Sequence, residues 1–518
     1  MRVGTGPVDE LLGARIGRRG PLICVVAGLL AGVVLALLSD GSYHDDALTH
    51  YLYARWAWDD PAHAVDEWGR PGLTALLMPA APLGWTACRI EIALLSAAAV
   101  WLAYDTARRL GWPRAGWVPL LCYAQPLFVL ASYTTLTESA LAVYLMLAMW
   151  LLVRERPACS AAALSLCFVT RYESLVLAPL WVLAAWRYRR WWWTVIALAW
   201  APLLHNLLGV LWLGRWPLAF ILGASHPDHY GAGTPLSMVV KSMATSGPAV
   251  AILAVVGLGA WPRPRRAWII PAVYGVYLLT QTVLYWQGLF ATGGYARFLV
   301  GTAPVAALCA LAGANLLDGR EPGGARRGAA ALAAVAGIML LGVELEARIT
   351  DEAWLFLLRP VQRLVRGLAL LAILLGGWLF VQPGRAPRAL LLALALAASA
   401  LPLAYLVRPH RLPQHTRDLR DAITWLRAGE HADAPVIATN IWVSHFLERG
   451  RNVLPPESTR ILDRVAPGTV FVWDAEYSTS PRFAIQADAL EQDEHWQPLF
   501  SSPARNGAGP FVRLYLRR

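Results

Sequence analysis

Lysine is almost missing from this sequence: Lys241 is the single one among 518 residues, so the basic side chains behind the net charge of +11 are nearly all arginine. Charged residues of either sign are scarce at 15% and hydrophobic residues abundant at 57%, against about 25% and about 45–50% in an ordinary soluble domain. Mean hydropathy is +0.45. Disorder, a collagen-like fibre and a plain cytosolic enzyme are excluded. The six cysteines all fall in apolar stretches, with no CxxC pair and none in the polar C-terminal segment, so neither a zinc site nor a disulfide framework is supported. No GxxxxGK[ST], no strand-coupled GxGxxG and no DxD triplet in a soluble segment occurs, which excludes a cytoplasmic nucleotide-binding site. There is no internal repeat and no low-complexity tract beyond Ala/Leu-rich runs. No cofactor is called for, and nothing points to nucleic acid.

What is present is a series of long apolar runs. A membrane helix needs about 20 apolar residues, and residues 21–39, 84–104, 115–132, 191–213, 268–286, 298–317, 328–345, 363–381 and 388–407 meet that length. Shorter candidates lie at 138–153, 159–171, 174–186 and 246–261; the pair flanking Thr170 to Glu173 is too short to cross alone and needs protein around its break. The expected fold class is therefore an all-α polytopic membrane protein. The first run follows a basic flank, but its length of about 19 residues and the lack of a small-x-small site after Leu38 favour a retained helix over a signal peptide.

Arginine clusters set the expected sidedness, because cytoplasmic loops keep positive charge. They fall at Arg15/Arg18/Arg19, Arg108/Arg109/Arg114, Arg154/Arg156, Arg187/Arg189/Arg190, Arg263/Arg265/Arg266, Arg320/Arg326/Arg327 and Arg385/Arg388. Every second connection is basic. About 13 crossings with a cytoplasmic N-terminus put each cluster inside and the C-terminus outside. Two domains follow: a transmembrane domain over residues 1–407, with a polar, aromatic first loop at 40–83, and a soluble extracytoplasmic segment over 408–518. In the loop, Leu48, Leu52, Trp56 and Ala57 alternate with charges at helical spacing, which predicts amphipathic helices lying at the interface. In the soluble segment Leu419 to Leu426 reads as part of a helix, and Pro435 to Thr439, Thr469 to Trp473 and Phe511 to Leu516 as short strands, predicting a small α/β domain.

Chemistry-bearing residues concentrate at a few places. Tyr43-His44-Asp45-Asp46 follows the first span, then His50, Arg55 and Trp68-Gly69-Arg70-Pro71. Adjacent carboxylates at a membrane surface can act as a base, hold a metal or orient an acceptor hydroxyl; they can equally be acids at a helix start, worth about 0.3–1 kcal/mol. Glu138, in Thr135-Leu136-Thr137-Glu138, and Arg171 with Glu173, in Thr170-Arg171-Tyr172-Glu173, interrupt apolar runs. An exposed charge at mid-bilayer costs about 2.5–3.5 kcal/mol on insertion scales, so such groups face a cavity or pair together. Arg89 and Glu91 read as a structural pair. Arg297 opens a late span in Gly293-Gly294-Tyr295-Ala296-Arg297-Phe298, and a guanidinium matches phosphate bidentately, which makes Arg297 and Arg70 candidate phosphate ligands. The loop Ser225-His226-Pro227-Asp228-His229-Tyr230-Gly231 lacks HExxH spacing, so His229 is taken as a candidate substrate contact and no metal site is assigned.

The order of these features resembles the GT-C superfamily of polyprenyl-phosphate-sugar-dependent glycosyltransferases, which includes protein O-mannosyltransferases and the lipid A aminoarabinose transferase. The features are an acidic pair after the first span, an Arg-Pro closing the first loop, a Thr-Glu after the third span, a Thr-Arg-Tyr-Glu between short spans and an Arg-Phe-Leu opening a late one. The likeness covers roughly residues 20–320. It implies that Asp45 is the catalytic base and that Asp46, in the position of the family's Glu, is its partner in the catalytic pair. Arg70 matches the basic residue before the family's proline pair and contacts the lipid phosphate, although Gly72 replaces the second proline. Glu138 and Arg297 match the acid after the third span and the late phosphate-side arginine, and Arg171 and Glu173 match as further substrate contacts.

The reading that follows is an inverting glycosyltransferase in a bacterial inner membrane, moving a sugar from a polyprenyl-phosphate donor to an acceptor hydroxyl on the extracytoplasmic face. The acceptor is a glycan, lipid or protein that the sequence does not select. The alternative is a transporter or lipid flippase, with Arg89, Glu91, Arg171 and Glu173 lining a path; the inverted repeats common in transporters are not seen, and the long polar first loop has no role there. A non-catalytic scaffold is the third possibility, in which removing the charges of Asp45 and Arg70 is harmless.

Overall fold

The computed structural model of the protein describes residues 19–186, 191–216, 232–259, 265–289, 293–317, 329–338, 367, 370–374, 376–377, 407–448, 462, 465–480, 483–504 and 509–518. The chain divides into two compact units: Met1–Leu37 with Ala64–Arg408, and Leu38–His63 with Pro409–Arg518.

The first unit is helical and spans a membrane several times. Among the described residues, five helices are long and apolar enough to cross: Arg19–Leu38, Trp85–Arg109, Trp192–Leu213, Ile269–Trp286 and Ala296–Leu316. Five shorter apolar helices accompany them, at Thr137–Val153, Pro157–Thr170, Tyr172–Ala185, Pro248–Gly259 and Ala329–Ile338. Among the described residues, five helices of full length are thus seen where about 13 crossings, four of them short, were expected. The expected spans at 363–381 and 388–407 lie largely outside the described residues, and of the one at 328–345 the helix Ala329–Ile338 is described. Others are broken by their own sequence.

The expected span at 115–132 shows how. Pro126 has no N–H to donate and disfavours helical backbone at the residue before it; Gln125 is extended, at φ −91° and ψ 111°, and separates the helices Val118–Tyr123 and Pro126–Ala131. A break among apolar helices leaves backbone groups without partners. The buried Gln125 side chain supplies one, donating its amide to Ala303 O at 2.7 Å and to Leu121 O at 3.2 Å. A second break follows Thr170, where Arg171 is extended and Tyr172–Leu177 continues as a 3₁₀ turn before the helix Ala178–Ala185. Deeper in the bundle, Pro248–Gly259 and Ala303–Leu317 touch backbone to backbone: a Cβ on Gly257 would run into Cys309 O, and one on Gly313 into Leu253 O. Small residues permit this approach where no hydrophobic force drives helices together in lipid.

The second unit is built on a four-stranded mixed sheet. Its strands are β1 (Val436–Ala438), β2 (Val470–Asp474), β3 (Trp496–Ser501) and β4 (Val512–Arg517), in the order β1-β2-β4-β3. β1 and β2 are parallel, with Ala438 opposite Val472; β2–β4 and β4–β3 are antiparallel. One face buries Phe471, Trp473, Phe483, Ile485, Leu490, Trp496 and Tyr515 together. The helix Gln414–Ala428 packs Leu419, Ile423 and Leu426 inward, as their i, i+4, i+7 spacing requires. The expected helix and three strands are present. β3 is the addition, an edge strand containing Pro498 with a register shift at Pro498/Phe500; both features dull a strand signal.

Residues 38–63, which the sequence assigns to the first loop of the membrane domain, group with this sheet unit. Ser39 Oγ accepts from His410 N at 2.9 Å, and Asp40 Oδ1 from Leu412 N at 3.1 Å. The helix Asp45–Trp56 packs against Ile441–Leu447, with the Tyr51 and His445 rings edge to face at 6.3 Å. Eight of its twelve residues are buried, on every face. It is therefore a packed helix, and the amphipathic interfacial helix expected from its spacing is not what forms.

Candidate functional site

The site residues assigned from sequence fall into two groups, one in each unit. In the helical unit, Glu138 lies in the first turn of Thr137–Val153, and Arg171 and Glu173 lie at the break after Thr170. Arg171 Nη1 donates to Glu138 Oε1 at 3.0 Å and to Thr137 Oγ1 at 3.1 Å, and its Nε donates to Glu173 Oε1 at 2.6 Å. The Arg171 guanidinium stacks over Phe298, 4.2 Å from the ring centroid. Glu173 Oε1 also accepts from Gln281 Nε2 at 3.1 Å and faces the Tyr277 hydroxyl at 3.5 Å. Arg297 reaches the same place, its Nε 4.0 Å from Glu138 Oε1.

Arg297 is 93% buried, and the loop that carries it is fastened from outside the loop. The only lysine in the chain, Lys241, is buried beneath the Tyr285 ring at 4.1 Å and donates to Gly294 O at 2.7 Å. Thr245 Oγ1 donates to Ala296 O at 2.7 Å.

Arg70 adds a third guanidinium, lying over the Tyr172 ring 5.0 Å from its centroid and within electrostatic reach of Glu173. Its backbone is left-handed, at φ 57°, a region where a non-glycine residue costs on the order of 1–3 kcal/mol and which tends to mark functional sites. The surroundings enforce it: Arg70 O accepts from Leu73 N and Thr74 N, and Thr74 Oγ1 donates to Gly69 O at 2.6 Å. Gly72, where the GT-C pattern has a second proline, sits against Pro157–Thr170 with no room for a side chain, since a Cβ would meet Thr170 Oγ1. Its carbonyl accepts from Tyr144 OH at 3.0 Å. The departure from the pattern thus follows from close packing. His205 also stacks on Tyr172, at 6.4 Å, and bonds to Val65 O at 3.0 Å, beside a Glu67–Arg215 pair at 2.6 Å. A shallow recess lined by Val65, Glu67, His205, Asn206 and Arg215 lies there.

Three guanidinium groups, Arg70, Arg171 and Arg297, thus converge on Glu138, Glu173 and Tyr172, and Asp66 and Glu67 also act on Tyr172. Arg171 is directed at two carboxylates, Glu138 and Glu173.

In the sheet unit, Asp45 and Asp46 form the first turn of Asp45–Trp56, capped by His44, whose Nδ1 accepts from Asp46 N. The helix-start reading of these acids is therefore satisfied, and it accounts for Asp46, which lies 3.3 Å from His44 Nδ1. It does not account for the Asp45 carboxylate. Trp442 Nε1 donates to Asp45 Oδ1 at 2.8 Å, and the Tyr477 hydroxyl donates to Asp45 Oδ2. Burial, and after it the charge of Asp45, pushes the Tyr477 phenol well above its ordinary value, so it remains the donor. Glu476 follows in the same turn, raised by burial and opposed by His415 at 3.4 Å.

Trp442, Tyr477, Gln281 and Tyr277 were not singled out from sequence. Aromatic and amide side chains carry no local signal of a polar role, and their partners are distant in the chain. Arg89 lies over the Trp85 ring at 3.7 Å. His229 lies outside the described residues. Among the described residues, no group of three His, Cys, Asp or Glu side chains is placed to hold a metal ion.

No protein-family model and no curated protein matches the sequence. Among solved structures, the crystal structure of ArnT from Cupriavidus metallidurans bound to undecaprenyl phosphate is similar with a TM-score of 0.61, at 15% identity, over 96% of this chain and 98% of that one. The apo crystal structure of the same ArnT gives a TM-score of 0.59 at 11% identity, over 95% and 97%. The chain accordingly has the GT-C fold that the order of its motifs resembles, over nearly its whole length.

Proposed function

We propose that the protein is an inverting glycosyltransferase that moves a sugar from a polyprenyl-phosphate donor to an acceptor hydroxyl on the extracytoplasmic face of a bacterial inner membrane. The observation that carries this is the convergence of three guanidinium groups, Arg70, Arg171 and Arg297, in a chain that shares its fold with a protein crystallised with undecaprenyl phosphate. About 13 crossings, a cytoplasmic N-terminus and an extracytoplasmic sheet unit belong to the same proposal.

In this account Arg70 and Arg297 bind the donor phosphate. As the bond between the anomeric carbon and the phosphate oxygen breaks, its electron pair stays on the phosphate, and the guanidinium groups stabilise the charge that grows there. Charges preorganised in this way supply several kcal/mol to a transition state. Glu138 and Glu173, fixed by Arg171, orient the sugar end of the donor. The acceptor oxygen attacks the anomeric carbon from the opposite face, its proton passes to Asp45, and the configuration inverts. Each carboxylate oxygen has two lone-pair sites, so Asp45 can accept this proton while bonded to Trp442 and Tyr477. Asp46, tied to His44, supports the turn that carries Asp45.

The test is transfer by the purified protein in lipid, offered a panel of polyprenyl-phosphate sugars with a membrane-extract acceptor. The proposal expects transfer from at least one donor and loss of donor binding in Arg70→Ala. A protein that binds none of the donors and transfers none is a transporter or scaffold.

A further inference from the structure

We infer that Trp442 and Tyr477 are positioning residues for transfer, holding the Asp45 carboxylate in the orientation from which it accepts the acceptor's proton. The inference rests on the proposed role of Asp45.

The two side chains come from equivalent places in the sheet. β1 and β2 are adjacent and parallel, and each donor sits just beyond the C-terminal end of one of them. After β1 the chain runs Thr439-Asn440, and Asn440 caps the helix Ile441–Leu447 by accepting from Trp442 N at 3.0 Å. After β2, Asp474 closes a tight turn: its Oδ1 accepts from Glu476 N at 3.1 Å and from Tyr477 N at 2.8 Å. Thr439 joins the two, donating to Asp474 Oδ2 at 3.1 Å and lying 2.8 Å from Ser478 Oγ. Asp474, Thr439 and Ser478 are all buried. The C-terminal ends of parallel strands are where α/β sheets generally build their sites.

One donor therefore reaches each oxygen of Asp45, and both donors are themselves fixed by buried hydrogen bonds. A carboxylate held at one oxygen can still rotate about its χ2, a broad and soft torsion. Held at both oxygens, it presents a defined pair of free lone pairs. Proton transfer is sensitive to this geometry, because the base must lie within hydrogen-bond reach of the proton it takes. An indole and a phenol thus converge on an aspartate 397 and 432 positions away.

A purely structural tether between the helix Asp45–Trp56 and the sheet would show the same contacts, and kinetics separate the two. The full-length protein in lipid is compared as wild type, Tyr477→Phe, Trp442→Phe, Asp45→Asn and the double variant Asp45→Asn/Tyr477→Phe. Tyr477→Phe removes one hydroxyl and keeps the ring, so the sheet unit folds. Each of Tyr477→Phe and Trp442→Phe is expected to lower kcat by about 10- to 100-fold, the range for loss of one hydrogen bond to a charged group, with KM for the donor unchanged. In the Asp45→Asn background Tyr477→Phe is expected to have no further effect, since groups acting as a unit are not additive. Wild-type kcat in both single variants overturns the inference and leaves the role of Asp45 standing. So does an equal fold-loss from Tyr477→Phe with and without Asp45. Near-normal kcat in Asp45→Asn itself removes the base, and the inference with it.

Discussion

Arg171 and Glu173, two positions apart in the sequence, meet at 2.6 Å across a break between two short helices, and the same guanidinium turns its other edge to Glu138 at 3.0 Å. All three groups are largely removed from solvent, with side-chain exposures of 11%, 18% and 1%. Removing one partner from a buried ion network leaves the others uncompensated, at about 3–5 kcal/mol. Arg171→Met should therefore lower the thermal midpoint of the purified protein by several degrees, whereas Glu173→Gln, which keeps an acceptor for Gln281, should cost less. Thermal unfolding in detergent measures both.

Arg70 and Arg297 are expected to act on the ligand more than on the fold. Loss of a charge-assisted hydrogen bond costs about 1.5–3 kcal/mol, so Arg70→Ala and Arg297→Ala should each weaken undecaprenyl phosphate binding by about 10- to 100-fold. Arg297→Lys should recover only part of this, because an ammonium cannot match phosphate bidentately. Lipid-binding titration of the three variants checks the order.

Gly72 packs without a side chain against Thr170. In Gly72→Ala the new methyl group meets Thr170 Oγ1, with Leu166 O 3.0 Å from it, and overpacking of this kind costs about 1–3 kcal/mol. The second change Thr170→Ala should return part of the loss, since the Thr170 hydroxyl bonds only to Leu166 O within its own helix among the contacts seen. A fall in the melting midpoint that Thr170→Ala does not relieve would contradict this packing.

Asp474 ties stability to pH. Burial holds its carboxyl above the ordinary aspartate range even though the Tyr477 N–H and the Thr439 hydroxyl pull the other way. The folded state thus keeps this proton to a higher pH than the unfolded chain. The stability it contributes is full below the ordinary aspartate pKa and is lost as pH rises through the raised folded value. Relative to Asp474→Asn, the wild type should become less stable as pH rises above the ordinary aspartate value of about 4. Thermal unfolding of the two proteins across that rise reads the sign directly.

How far the sequence speaks can be judged residue by residue. The apolar runs at 21–39, 84–104, 191–213 and 268–286 are helices, because twenty apolar residues leave the backbone no other way to satisfy itself in lipid. The run at 115–132 is not, and Gln125-Pro126 is the reason: one proline outweighs composition. The break at Arg171 to Glu173 was legible from two charges at the junction of short spans. What lay beyond reading was long-range pairing. Nothing local joins Glu138 to Arg171 or Trp442 to Asp45, and the left-handed backbone of Arg70 arises from its surroundings. The periodicity of Leu48, Leu52 and Trp56 was real, but the helix is buried on the faces that pattern assigned to water, because Ile441–Leu447 covers part of it.

The central claim is that Asp45 takes the acceptor's proton as the acceptor attacks a lipid-linked donor, and the most direct test is the rate of sugar transfer by wild type and by Asp45→Asn at donor concentrations that saturate both. General-base catalysis contributes about 10²–10⁴-fold. The account expects Asp45→Asn to bind the polyprenyl-phosphate sugar as tightly as wild type and to transfer it at least about 10²-fold more slowly. Transfer at near wild-type rate by Asp45→Asn would contradict it.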